Sequence, residues 1–182
     1  MDNAILSRSL HDVGLSAWFG GTLANAVSLN AAAAAAGDKH STGAVANTGW
    51  DRWTPVNAAA IAAHLGGSVI QLVDNKGRIS SQSGVGTMVV VKTALTAAAL
   101  GATAYSRVLG RKVSQQTAVP AESGTTPSST TPKPVADAQK QLSVLQWVIP
   151  ALTGALVVVT SVAGEQQRPT AVKKGLVDRL TP

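Results

Sequence analysis

The chain has no cysteine, only six aromatic residues among 182, and charge on just 13% of its positions. Without cysteine there is no disulfide framework, thiolate metal site, cysteine nucleophile or lipid-modified cysteine anchor. Soluble domains carry charge on about a quarter of their residues, so so sparse a supply counts against an ordinary soluble enzyme. No P-loop, dinucleotide fingerprint, metal-ligand spacing or Ser-His-Asp grammar occurs. What is present is a 45% apolar composition beside a net charge of +6. The two are compatible when apolar residues gather in blocks and basic residues in the connections, as in a membrane protein. Lys and Arg are spread along the chain rather than along one periodic face, which argues against a nucleic-acid partner.

Four apolar blocks stand out, at about residues 13–36, 55–73, 86–109 and 142–164. The first and last hold no Asp, Glu, Lys, Arg or His. Each is long enough to cross ~30 Å of hydrocarbon at 1.5 Å per residue. The expected fold is all-α: a four-helix transmembrane bundle making one membrane domain of residues 1–182. The segment before the first block carries Arg8 with Asp2 and Asp12, unlike the basic start of a signal peptide.

Local chemistry predicts the boundaries. Thr54-Pro55 reads as an N-cap followed by proline in the first helical position. Asp74-Asn75-Lys76-Gly77-Arg78 reads as a polar turn. Residues 114–137, rich in Ser, Thr and Pro, predict a flexible, disordered loop between the third and fourth helices. In the tail, 165–182, Val172, Leu176, Val177 and Leu180 recur among Lys173, Lys174 and Arg179. That pattern suits a basic amphipathic helix on an anionic leaflet or a disordered end.

If the blocks alternate in direction, Trp50, Trp53, Tyr105 and Trp147 fall at one interface, as an aromatic belt does. Lys and Arg are evenly divided between the two sides, so orientation rests on Lys173-Lys174 beside the last span. They favour both termini in the cytoplasm of a multi-pass cell-membrane protein. Helices in lipid associate through small residues and polar contacts. Ser16, Gly20, Ala24 and Ser28 form one such stripe, and Ala94, Ala98 and Ala102 another. Asn25 and Asn30 are buried amides expected to hydrogen-bond neighbouring helices.

Ionisable groups at membrane depth are candidates for function. Lys92 lies near the start of the third block, on the side where Asp12 and His11 open the first. His64 sits halfway along the second block, where an imidazole cannot snorkel. His11 belongs at the membrane surface and His64 roughly 13 Å deeper by helical rise, a mismatch that argues against the two sharing a haem. No cofactor is expected.

Three segments carry a resemblance: His11-Asp12-Val13-Gly14-Leu15-Ser16-Ala17-Trp18-Phe19-Gly20-Gly21, Gly49-Trp50-Asp51-Arg52-Trp53-Thr54-Pro55-Val56-Asn57 and Gly164-Glu165-Gln166-Gln167-Arg168-Pro169. With the apolar blocks, they resemble a group of small, uncharacterised actinobacterial membrane proteins, which implies a four-helix fold and no activity. The opening His-x-x-Gly-x-x-x-Trp-x-Gly-Gly is also similar to the start of copper-resistance membrane domains. No Cys or Met cluster accompanies it, and no copper ligand is assigned.

Three functions are therefore expected in turn. The first is a non-enzymatic accessory or scaffold protein packing with a membrane partner or with its own copies in the bilayer. The second is a small transporter or proton-coupled carrier using His64, Lys92 and Asp12. The third is a membrane redox protein holding haem or copper.

Overall fold

The computed structural model describes residues 3–82, 84–115, 119–165, 167, 168 and 172. Its elements are α1 (Asn3–Ala24), a π-helical turn (Asn25–Leu29), α2 (Asn30–Ala34), α3 (Lys39–Asp74), α4 (Lys76–Ser81), α5 (Val85–Ser114) and α6 (Lys133–Glu165). Among the described residues no strand forms; one isolated bridge joins Ala121 and Pro127. Three helices, α3, α5 and α6, are long and apolar enough to cross a membrane. Their outer faces stay apolar: Val69, Val90 and Val158 are 61%, 67% and 63% exposed. Water would penalise so many uncovered β-branched side chains, whereas hydrocarbon would not.

Backbone angles remain right-handed helical at Ala24, Leu29 and Asn30, so α1, the π turn and α2 make one continuous rod. Around that turn the buried residues Trp18, Thr22, Ala26 and Asn30 recur every four positions. Steps of four overshoot a 3.6-residue turn, and the wider π turn restores the register. The Thr22 hydroxyl donates to the carbonyls of Trp18 and Phe19 just before it, a back-bond that loosens a helix.

The second rod begins earlier than the sequence suggested. Its N-cap is Asp38, whose carboxylate accepts from the amides of His40 and Ser41 at 2.9 and 3.1 Å. Gly37, at φ 95°, makes the turn from α2 into that cap. Thr54-Pro55 is therefore no helix start. α3 runs through Pro55, and the Thr54 hydroxyl donates back to the Trp50 carbonyl instead of capping anything. The expected turn at 74–78 is corrected too: after Asn75 the chain re-enters the short helix α4, held by Arg78 donating to Asn75 and Gln82. α6 starts nine residues before its apolar block, where Lys133 and Asp137 pair at 2.8 Å one turn apart.

The rods associate unequally. α1 packs along α3 and α5 along α6, α1 also meets α6, and α3 barely touches α5. A central cluster of Trp18, Ala99 and Ile149 ties the two pairs together, with Ile61, Leu100, Ala102 and Leu152 around it. A second cluster, Leu109, Val113, Val119, Val135 and Ala138, closes one end.

Val119 belongs to the connection expected to be disordered. The described part of that connection, 119–132, is packed and bonded instead. Val119, Ala121, Thr125 and Ser128 are buried. The Ala121 amide donates to the Lys39 carbonyl at 3.0 Å, Ser128 and Thr131 donate to the Pro120 carbonyl, and Lys39 pairs with Glu122 at 2.7 Å. Residues 116–118, and most of the tail proposed as amphipathic, lie outside the described residues.

Candidate functional site

His11 on α1 and His64 on α3 each precede a glycine by three residues, Gly14 and Gly67, and the helices run antiparallel. The two His-x-x-Gly units therefore face each other. A Cβ at Gly14 would meet the Ala60 carbonyl and the backbone of His64; one at Gly67 would meet the Ser7 carbonyl and the backbone of His11. Each glycine thus admits the backbone turn that bears the opposite histidine.

The close approach puts both imidazoles, fully buried, in contact, with ring centroids 4.5 Å apart and planes tilted by 50°. This corrects the expected depth mismatch. α1 begins at Asn3 and α3 continues to Asp74, so the histidines lie at similar distances from the same end of the bundle.

His11 is held on both ring nitrogens. Its Nδ1 lies 2.7 Å from the half-exposed Asp12 carboxylate, and its Nε2 lies 3.3 Å from Lys92 Nζ on α5. An ammonium only donates, so His11 Nε2 accepts and Nδ1–H donates to Asp12. His64 Nδ1 faces the His11 carbonyl at 3.4 Å, and its Nε2 is buried without a partner. Trp18 stands 6.1 Å from His64 and donates its indole N–H to Thr103 at 3.3 Å. Gln71 donates to the Ser7 carbonyl at 3.3 Å. The four ionisable candidates, Asp12, His11, His64 and Lys92, are thus one cluster. A polar cavity of about 270 Å³, lined by Arg8, Asp12, Gln71 and Lys92, opens beside it.

This cluster does not fit haem or copper. Both nitrogens of His11 are engaged by side chains, and rings in contact leave no slot for a macrocycle between them. Among the described residues no group of three or more His, Cys, Asp or Glu could hold a metal ion.

The small-residue stripes mostly fall elsewhere than expected. Ser16, Gly20, Ala24 and Ser28 are exposed, because the buried register through Trp18 lies two residues away, about 200° around the helix. Ala94 and Ala98 also face outward, whereas Ala102 packs on the Trp18 cluster. Tyr105 and Trp147 are exposed at 47% and 51%, as belt residues are. Trp50 and Trp53 turn inward: Trp50 donates to Asn30 at 3.1 Å, and the Trp53 ring fills the space over Gly21. Asn30 bonds a neighbouring helix as expected, donating to Gln146 at 2.6 Å; the buried Nδ2 of Asn25 has no partner.

Sequence reasoning missed two features. The repeated His-x-x-Gly was the available signal for the helix contact. The chain of bonds from Thr125 through Gln146 and Asn30 to Trp50 left no signal, since it joins four segments through side-chain amides. Comparison with known protein families, with curated proteins and with solved structures finds no match.

Proposed function

We propose that the chain is a four-helix integral membrane protein in which Asp12, His11 and Lys92 form the proton relay of a small proton-coupled carrier. The observation that carries this reading is the imidazole of His11 set between a carboxylate and an amine at 2.7 and 3.3 Å. Transfer of a proton from Lys92 to Nε2, and of the Nδ1 proton to Asp12, turns ammonium, imidazole and carboxylate into amine, the other imidazole tautomer and carboxylic acid. Every hydrogen bond is kept with its direction reversed, so the proton moves without any side chain rotating. Ionisable groups inside a membrane bundle are costly and are retained mainly on ion and proton pathways.

Continuity of the rod from Asn3 to Ala34 supports counting it as the fourth crossing. An even count would put both termini on one face, and Lys173-Lys174 beside the last span favour the cytoplasmic face of the cell membrane. The test is flux in proteoliposomes under imposed proton and solute gradients, read with a trapped pH dye. Wild type is expected to carry flux that Lys92→Met and His11→Phe lose. If both variants match the wild type, the relay is wrong.

A second reading, the accessory or scaffold protein, is favoured by the outward stripe of Ser16, Gly20, Ala24 and Ser28. Small residues of this kind let a partner helix or a second copy approach closely. It loses its basis if purification in mild detergent returns only the isolated monomer.

A further inference from the structure

The scant contact between α3 and α5 leaves a cleft between them holding two cavities, of about 310 and 380 Å³. They lie end to end and share Leu100. The first is closed on one side by Gly124 and Thr125 of the packed connection. Three side chains on its wall each hold a buried polar atom without a protein partner: the donors Trp53 Nε1 and Arg107 Nε, and the acceptor Asn57 Oδ1. Buried polar atoms left unsatisfied are costly, and three of them around one cavity call for an occupant that pairs with them. Charge narrows its chemistry. Arg107 Nη1 already pairs with Asp51 at 2.7 Å, so this first cavity, which takes the head group, is neutral, and an ionic head group would enter it uncompensated. Beyond Leu100 the second cavity runs past Val69, Leu72 and Met88, with Arg78 and Lys92 also on its wall. From Asn57 to Val69 is about 18 Å along α3, more than half of a ~30 Å hydrocarbon core and within reach of one acyl chain.

We infer that the α3/α5 cleft binds an uncharged single-chain lipid of the monoacylglycerol class. Its carbonyl and hydroxyl oxygens accept from Trp53 and Arg107, a hydroxyl donates to Asn57, and the chain runs past Leu100. The inference rests on the membrane-spanning reading and not on the proton relay, since binding is measured without any gradient.

The experiment is native mass spectrometry of the full chain in detergent, titrated separately with monooleoylglycerol, oleate and lysophosphatidylglycerol. One monooleoylglycerol is expected to stay bound, in preference to both anionic lipids. Trp53→Phe and Asn57→Leu are each expected to weaken binding about tenfold, the size of one lost hydrogen bond. Leu100→Trp, which blocks the junction of the cavities, is expected to exclude the long chain while retaining monooctanoylglycerol. Equal or tighter binding of either anionic lipid, no retained lipid, or full affinity in Trp53→Phe and Asn57→Leu overturns the inference.

Discussion

At the scale of single residues, the structure separates glycines that matter from those that do not. Gly14 and Gly67 face the backbone of the opposite helix, and backbone cannot give way as a side-chain tip can. Gly14→Ala and Gly67→Ala are expected to lower stability by about 1–3 kcal/mol, the usual cost of overpacking. Gly20→Ala and Gly66→Ala meet open space and are expected to hold or gain up to about 1 kcal/mol from helix propensity. Thermal unfolding of the four variants in one detergent checks the contrast; equal losses at all four positions would refute the close approach. The sequence placed Lys92 on the same side as Asp12 and His11 but set His64 apart from them. Depth along a helix can be judged only once its ends are known: α1 begins at Asn3, well ahead of the expected start at 13, whereas α3 ends at Asp74, next to the expected 73.

At the scale of elements, the misplaced start of α3 has a clear cause. Thr54-Pro55 has the composition of a helix start, but proline is also tolerated inside a membrane-spanning helix. Asp38 supplied the stronger cap. Burial does not set its acidity: the Ser41 hydroxyl and amide, donating to the carboxylate, hold it below the ordinary value of 3.8, with the His40 amide adding to them. A carboxyl acidified by folding adds stability above its unfolded pKa and loses it as pH falls through the lower folded value. Protection of the His40 and Ser41 amides from hydrogen exchange, corrected for intrinsic rates, is expected to hold from neutral pH to about 4 and to drop below it. Asp38→Ala is expected to show weak protection with no such step. Pro55 is exposed and offers no N–H to the Asp51 carbonyl, so Pro55→Ala is expected to stabilise α3 by about 1–3 kcal/mol, read as a higher unfolding midpoint.

The connection between α5 and α6 was legible as Ser/Thr/Pro-rich but not as ordered, because composition reports apolar area and this segment is held by hydrogen bonds. Gln146→Leu removes the link between Thr125 and Asn30. It is expected to cost about 1–3 kcal/mol through the amide left unpaired and to make 119–132 sensitive to limited proteolysis, under conditions where the wild-type connection is expected to resist cleavage.

At the scale of the molecule, the four apolar blocks, the all-helical architecture and three of the membrane-length helices were legible from segmentation alone, since hydrophobic length is set by bilayer thickness. The pairing of helices was not, because lipid-facing and helix-facing positions are alike apolar here. The absence of cysteine makes topology easy to test. Single cysteines at Ile5 and Lys76 are expected to react with a membrane-impermeant thiol reagent from one side, and those at Asp38 and Ser129 from the other. Labelling of positions 5 and 76 from opposite faces would rule out the four-crossing arrangement.

The uneven pairing also has a mechanical consequence. With α1 on α3 and α5 on α6, the bundle is built like a book: the α1–α6 contact is its spine, and the α3/α5 cleft is its open edge. His11 and Lys92 sit on opposite covers. Swinging the covers apart along that spine draws the amine off the imidazole, whereas the two histidines, both bound into the glycine-sealed cover of α1 and α3, move together. On the proposed relay, such a book would carry an electrical contact made when it shuts and broken when it opens.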